Sequence, residues 1–278
     1  MAGALATSKS RLVAIVLPTI ANSIYASVVQ AIMDRLAEAG YHTLVGPSGY
    51  TPEHEEALLA AILGRRPDGI VLTGTFHTQA SRERLASAGI PVVEAWDLSD
   101  DGLDMQVGFS HEQVGIAVAE HFFAKGYRRW AVIGVDDPRA LRRCNAVIQR
   151  LDTLGADAVT VQTLPLPATW EVGRKGLANL LDTGKRPDFI FCSSDTVALG
   201  VLAEAATRGL NVPDDLAVLG FGDTLNGQFA NPALSTVSVN ATEMGQQVAE
   251  ALLRRFAGQP AEPSVDTRFA IIERASTG

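Results

Sequence analysis

Short runs of Val, Ile and Leu alternate along the chain with longer segments in which apolar residues return every third or fourth position. The first run is Leu12-Val13-Ala14-Ile15-Val16-Leu17, bounded by Arg11 and Pro18; an unbroken apolar run of this length predicts a strand covered on both faces. From Tyr25 to Ala39, Val28, Val29, Ile32 and Leu36 line one helical face, and Gly40 stands where a C-terminal cap is wanted. The same reading predicts a strand at Tyr41 to Val45 and a helix announced by Thr51, Pro52 and the acidic Glu53, Glu55 and Glu56. Strands follow at Gly69 to Thr73 and Pro91 to Glu94, with helices at Ala80 to Ala88 and His111 to Lys125.

A second series then begins. It runs strand Trp130 to Gly134, helix Pro138 to Leu154, strand Ala158 to Leu164, helix Trp170 to Leu181, strand Phe189 to Cys192, helix Thr196 to Arg208 and strand Leu216 to Gly220. The tail adds a strand at Leu234 to Val239, a helix at Met244 to Phe256 and one last strand near Val265 to Ile272, which returns the chain rather than starting a third lobe. Two successive sets of βα units predict an α/β fold of two lobes, each a parallel sheet flanked by helices. Ligands of open parallel sheets lie beyond the carboxyl ends of the strands, so a cleft between two such lobes is expected, and the loops after each strand hold the candidate residues.

Composition narrows the function. With 278 residues, 47% hydrophobic and 19% charged, the chain has material for two cores. A formal net charge of −8, with no basic run longer than Arg128-Arg129 or Arg142-Arg143, excludes a phosphate grip by these residues alone. No apolar run is long enough to span a membrane, and the first ten residues lack the pattern of a signal peptide, which predicts a cytoplasmic protein. Cys144 and Cys192 imply no disulfide framework and are expected as reduced thiols. Enzyme motifs are missing: there is no Walker lysine, no Cys-x-x-Cys and no His-Glu-x-x-His, and Gly220-Phe221-Gly222 is followed by Asp223-Thr224-Leu225 rather than by the rest of a dinucleotide fingerprint. A non-enzyme with no metal and no cofactor is the expectation.

Five segments carry a resemblance. Val212-Pro213-Asp214-Asp215-Leu216-Ala217-Val218-Leu219-Gly220-Phe221-Gly222-Asp223 with Pro232-Ala233-Leu234-Ser235-Thr236-Val237, Ser194-Asp195-Thr196-Val197-Ala198-Leu199-Gly200, Arg66-Pro67-Asp68-Gly69-Ile70-Val71-Leu72 and Ala88-Gly89-Ile90-Pro91-Val92-Val93 are together similar to LacI/GalR-type transcriptional regulators. The resemblance runs from about Leu12 to the C-terminus. It implies a type I periplasmic-binding-protein-like effector domain, a homodimer, and operator DNA held by an upstream helix-turn-helix headpiece that is not in this chain. Tyr50-Thr51-Pro52-Glu53, His77-Thr78 and Val93-Glu94-Ala95-Trp96-Asp97 most resemble the gluconate-utilisation repressors. The implied organisation is a hinge remnant at 1–10, an N-terminal lobe of 11–127 plus 240–262, and a C-terminal lobe of 128–239 plus 263–278. A solute-binding receptor of the same fold, serving a sugar transporter, is the alternative from another class.

Site residues follow from the resemblance and from their place after strands. Tyr25 and Trp170 are expected as aromatic walls against a sugar, although a helix-start aromatic explains Tyr25 equally well. Gln113 and Ser194 fall at family positions that meet effector hydroxyls, with an N-cap as the other role open to Ser194. Asp195 reads as a cap. Gly222 stands where many sugar-binding members carry Asp, which suits an anionic effector unless Asp223 takes over that role. His77 follows a strand and is a candidate for ligand hydroxyls, with a solvated loop His as the other reading, while Glu94 and Asp97 would need partners or ligand hydroxyls beside an anion. Arg143 matches the family position that points into the cleft, and Arg139, four residues earlier, shares its helical face; the alternative is a solvated edge formed with Arg142. The expected effector is a sugar or sugar acid such as gluconate, its carboxylate on Arg143.

Overall fold

A computed structural model describes residues 9–278 of the chain; the hinge remnant expected at 1–10 lies, but for Lys9 and Ser10, outside the described residues. The chain forms two units, one running up to Phe109 and taking in Asn240–Thr267, the other made of Ser110–Val239 and Arg268–Gly278.

In the first unit six parallel strands lie in the order β11-β5-β4-β3-β1-β2, where β1 is Leu12–Leu17, β2 His42–Pro47, β3 Gly69–Thr73, β4 Val92–Ala95, β5 Met105–Gly108 and β11 Ser264–Asp266. Side chains alternate across the sheet, so Ala14, Val16, Ile70, Leu72 and Val92 face Leu59, Ile62 and Leu85 from α2 (Pro52–Leu63) and α3 (Gln79–Ala88). Helices α1 (Ser23–Glu38) and α9 (Ala241–Phe256) pack on each other so closely that a Cβ on Gly245 would lie 2.6 Å from the Val28 carbonyl oxygen.

The second unit repeats the plan. Its sheet runs β12-β10-β9-β8-β6-β7, with β6 at Trp130–Val135, β7 Thr160–Leu164, β8 Phe189–Cys192, β9 Ala217–Phe221, β10 Ser235–Ser238 and an antiparallel edge strand, β12, at Ala270–Ile272. Helices α6 (Trp170–Asp182) and α7 (Asp195–Thr207) cover Ala131, Ile133, Ile190 and Val218. Helices α4 (His111–Ala124) and α5 (Pro138–Leu154) also pair within this unit.

Three features differ from the sequence reading. Helix α4 was expected with the first lobe, which ended at residue 127; it packs instead on α5, where Gly115 comes close enough that a Cβ would lie 2.4 Å from the Arg143 carbonyl oxygen. An apolar stripe says that a helix is covered without saying by what. The single last strand divides in two: β11 pairs with β5, Arg268 turns at φ 60°, and β12 pairs with β10. Strand β5 and the four-residue helix α8 (Leu225–Gln228) were not foreseen, because Met-Gln-Val-Gly is too short to stand out as a run.

Candidate functional site

Each unit gathers polar and aromatic groups beyond the carboxyl ends of its strands. In the second unit the chain leaves β6 and turns at Asp137, whose carboxylate accepts from the backbone N–H groups of Arg139 and Ala140 while Pro138 opens the helix. That cap aims the first turns of α5 across the strand ends. Arg139 and Arg143 are both buried there, 7% and 6% exposed, whereas Arg142 on the outer face pairs with Glu112 at 2.9 Å. The solvated edge therefore describes Arg142, and the other two lie inside the unit.

Arg139 Nη2 donates to Asp137 Oδ2 at 3.0 Å. Burial works to raise the Asp137 pKa, but the charges and hydrogen bonds of Arg139, with Arg143 beyond, hold it below the ordinary carboxylate range. Arg143 Nη1 donates to His111 Nδ1 at 2.8 Å, Nη2 donates to the Ser193 carbonyl at 2.8 Å, and the guanidinium lies 3.8 Å from the ring centroid of Phe221. These contacts arrive from α4, from the end of β8 and from the end of β9, so three elements fix one side chain.

Around this core the other expected residues take distinct places. Gln113 is exposed in the first turn of α4, its backbone N–H donating to the Ser110 cap. Trp170 opens α6 and is 50% exposed. Ser194 is the N-cap of α7, its hydroxyl accepting from Val197 N at 3.3 Å. Asp195, 1% exposed, accepts from the Thr236 hydroxyl at 2.6 Å and from Thr224 N at 2.7 Å, tying α7 to strand β10 and to the loop after β9; burial raises its pKa against those bonds. Asp223 is half-buried at φ 53° and receives Arg274 Nη2 at 2.7 Å, an ion pair that the sequence did not announce. Cys144 and Cys192 are buried free thiols, the first pushed up to about 11 by burial.

In the first unit Tyr25 is half-buried at the start of α1, its ring edge-to-face with Trp96 at 5.3 Å and 80°. Trp96, 5% exposed, also meets Phe109 at 6.4 Å, and its backbone is held at φ 77°, a conformation costly for a bulky residue. Neighbours impose it: Asp97 is buried and accepts from the Thr75 hydroxyl at 3.1 Å and Leu98 N at 2.9 Å, and Gly108 packs where a Cβ would be 2.4 Å from Asp97 N.

His77 corrects the sequence reading. Its side chain has no exposure; Nδ1 lies 2.7 Å from Glu55 Oε1, and Nε2 is 3.1 Å from the Gly74 carbonyl and 3.3 Å from Glu94 Oε1. Burial alone would lower its pKa, but hydrogen bonds and charge from Glu55 and Glu94 raise it to about 9. It is a buried imidazolium clamp rather than a group for ligand hydroxyls, and it supplies the partner that Glu94 needed. A cavity of about 260 Å³ near Leu85, Leu103 and the Asp104–Arg255 pair lies at the opposite ends of these strands. Among the described residues no cluster of three or more His, Cys, Asp or Glu is arranged to hold a metal, and no helix is long and apolar enough to cross a membrane.

His111, Ser193, Phe221 and Trp96 join these groups through contacts that the tertiary structure makes. Trp96 follows the expected strand ending at Glu94 and was legible by position; His111 follows β5, and with that strand unseen its loop had no special claim.

Two doubly wound sheets with polar and aromatic groups at their strand ends define a periplasmic-binding-protein-like module, and residues 119–277 match the family model of the periplasmic binding protein-like domain. The chain is 35% identical over 280 residues to the HTH-type transcriptional regulator GntR of Pseudomonas aeruginosa, covering 99% of this chain and 81% of that protein. Among solved structures it is similar to transcription regulator GntR from Chromobacterium violaceum (33% identity, TM-score 0.91, 96% and 99% of the two chains). It is also similar to a LacI family transcriptional regulator from Silicibacter pomeroyi (30% identity, TM-score 0.88, 95% and 98%). The chain belongs to the LacI family of transcriptional regulators, which are not enzymes.

Proposed function

We propose that this chain is the effector-binding and dimerisation part of a cytoplasmic LacI-type regulator that senses a small sugar acid of the gluconate type and passes the binding event on to operator DNA held by a helix-turn-helix headpiece. The observation that carries the effector assignment is the pair of buried guanidinium groups, Arg139 and Arg143, on one face of α5 beside its N-terminus. Asp137 balances one of them through its 3.0 Å contact with Arg139, and the helix end adds favourable potential for an anion. Arg143 is assigned to the carboxylate, because planar guanidinium and carboxylate groups match through paired hydrogen bonds. Gln113 and Ser194 are assigned to hydroxyls and the exposed Trp170 to the carbon chain, with Asp223 held for hydroxyls by Arg274. In the first unit Tyr25, backed by Trp96, offers an aromatic face. The relatives at 30% identity or above favour a regulator over a transport receptor.

Coupling to DNA requires two states that differ in effector affinity, and a homodimer places two headpieces on two half-sites. Isothermal titration of the wild type and Arg143→Ala with gluconate and with glucose tests the effector. Loss of a charge-assisted hydrogen bond costs about 1.5–3 kcal/mol, roughly tenfold to a hundredfold in affinity. Equal affinity for the neutral sugar, or an unchanged constant in a variant whose circular dichroism is native, overturns the sugar-acid assignment.

A further inference from the structure

We propose that His111 is the positioning residue for Arg143 and that, resting on the reading of Arg143 as the carboxylate grip, protonation of its ring makes effector affinity fall on acidification. A guanidinium has donors only, so the 2.8 Å contact from Arg143 Nη1 requires a lone pair on His111 Nδ1. The ring is therefore the neutral tautomer with its proton on Nε2. His111 is 1% exposed, it is the first residue of α4, where the helix dipole disfavours a cation, and the Arg143 charge sits at hydrogen-bond distance.

Charged groups on the elements packed with the ring include Arg143 itself, the Asp137–Arg139 pair at the start of α5 and the Glu112–Arg142 pair that joins α4 to α5, while β9 contributes the Phe221 ring at 6.4 Å. Ser193 holds the other end of the guanidinium through a carbonyl that does not titrate. The His111 anchor thus depends on protonation and the Ser193 anchor does not. When His111 takes up a proton at Nδ1 the Nη1 anchor is lost and two cations face each other. The guanidinium then swings about its Ser193 bond, away from the orientation in which it meets a carboxylate.

Two measurements decide this. Imidazole ¹⁵N spectra report the ring without any ligand: the expected result is a neutral Nε2–H tautomer whose protonation moves to higher pH in Arg143→Ala. Gluconate titrations between about pH 5 and pH 8, the range in which imidazoles change charge, report the effect on binding. The wild type should lose about tenfold in affinity toward the acid end, while His111→Asn, which keeps a neutral acceptor near the Nδ1 position, should bind with a flat profile. His111→Leu should bind weakly throughout. A ring titration indifferent to Arg143, or a wild-type profile retained in His111→Asn, overturns the inference. Failure of every protein to bind gluconate would remove the sugar-acid reading, and the ligand-free spectra would still decide the positioning role.

Discussion

Replacing His77 by Gln removes the cation that separates two carboxylates inside the first unit. The clamp is legible in the distances, 2.7 Å to Glu55 and 3.3 Å to Glu94, around a side chain with no exposure. The rise in the His77 pKa from 6.5 to about 9 corresponds, at about 1.4 kcal/mol per pKa unit, to about 3 kcal/mol of folding stability. Because the folded pKa lies above the unfolded one, that stability is fully present below about pH 6.5 and is lost as pH rises through about 9. At neutral pH the variant leaves Glu55 and Glu94 facing each other without a counter-ion, and breaking a buried pair in this way costs about 3–5 kcal/mol. Urea unfolding of the wild type and of His77→Gln followed by circular dichroism across pH 6 to 10 tests the account. The stability gap should be widest at the acid end and shrink by about 3 kcal/mol through the alkaline range. A gap that stays constant with pH would show that the ring is neutral in the folded protein and refute the reasoning.

Gly200→Ala should destabilise the second unit by about 1–3 kcal/mol, since the new Cβ would lie 2.0 Å from the Trp170 carbonyl oxygen; Gly64→Ala, at ordinary helical φ with nothing nearer than 3.5 Å, should be neutral or slightly stabilising in the same denaturation assay. Ser194→Ala should cost about 1 kcal/mol through loss of the α7 cap, and Ser194→Gly only a few tenths. If Ser194 also meets a ligand hydroxyl, both variants lose gluconate affinity, and an unchanged constant in Ser194→Gly assigns the hydroxyl to capping alone.

Much of the fold is written in local pattern. The short all-apolar runs at Leu12–Leu17 and Phe189–Cys192 match strands buried on both faces, and Pro138 after Asp137 matches a capped helix start, so the order of elements and the presence of two parallel sheets follow from spacing and caps. The same local logic puts Arg139 and Arg143 on one helical face and Ser194 at a cap. What a side chain meets is set by segments far away in sequence. His77 meets Glu55 and Glu94 across distances of 22 and 17 residues, Arg143 meets a carbonyl 50 residues on, and Asp223 meets Arg274 from the last turns of the chain. No periodicity encodes those meetings, because burial makes a polar group take whichever partner the tertiary packing brings to it. The sequence by itself thus determined the class of protein and the helix that carries its cations. Only the tertiary structure decided that His77 is a buried clamp, that α4 belongs with α5, and that Arg143 is held between an imidazole and a backbone carbonyl.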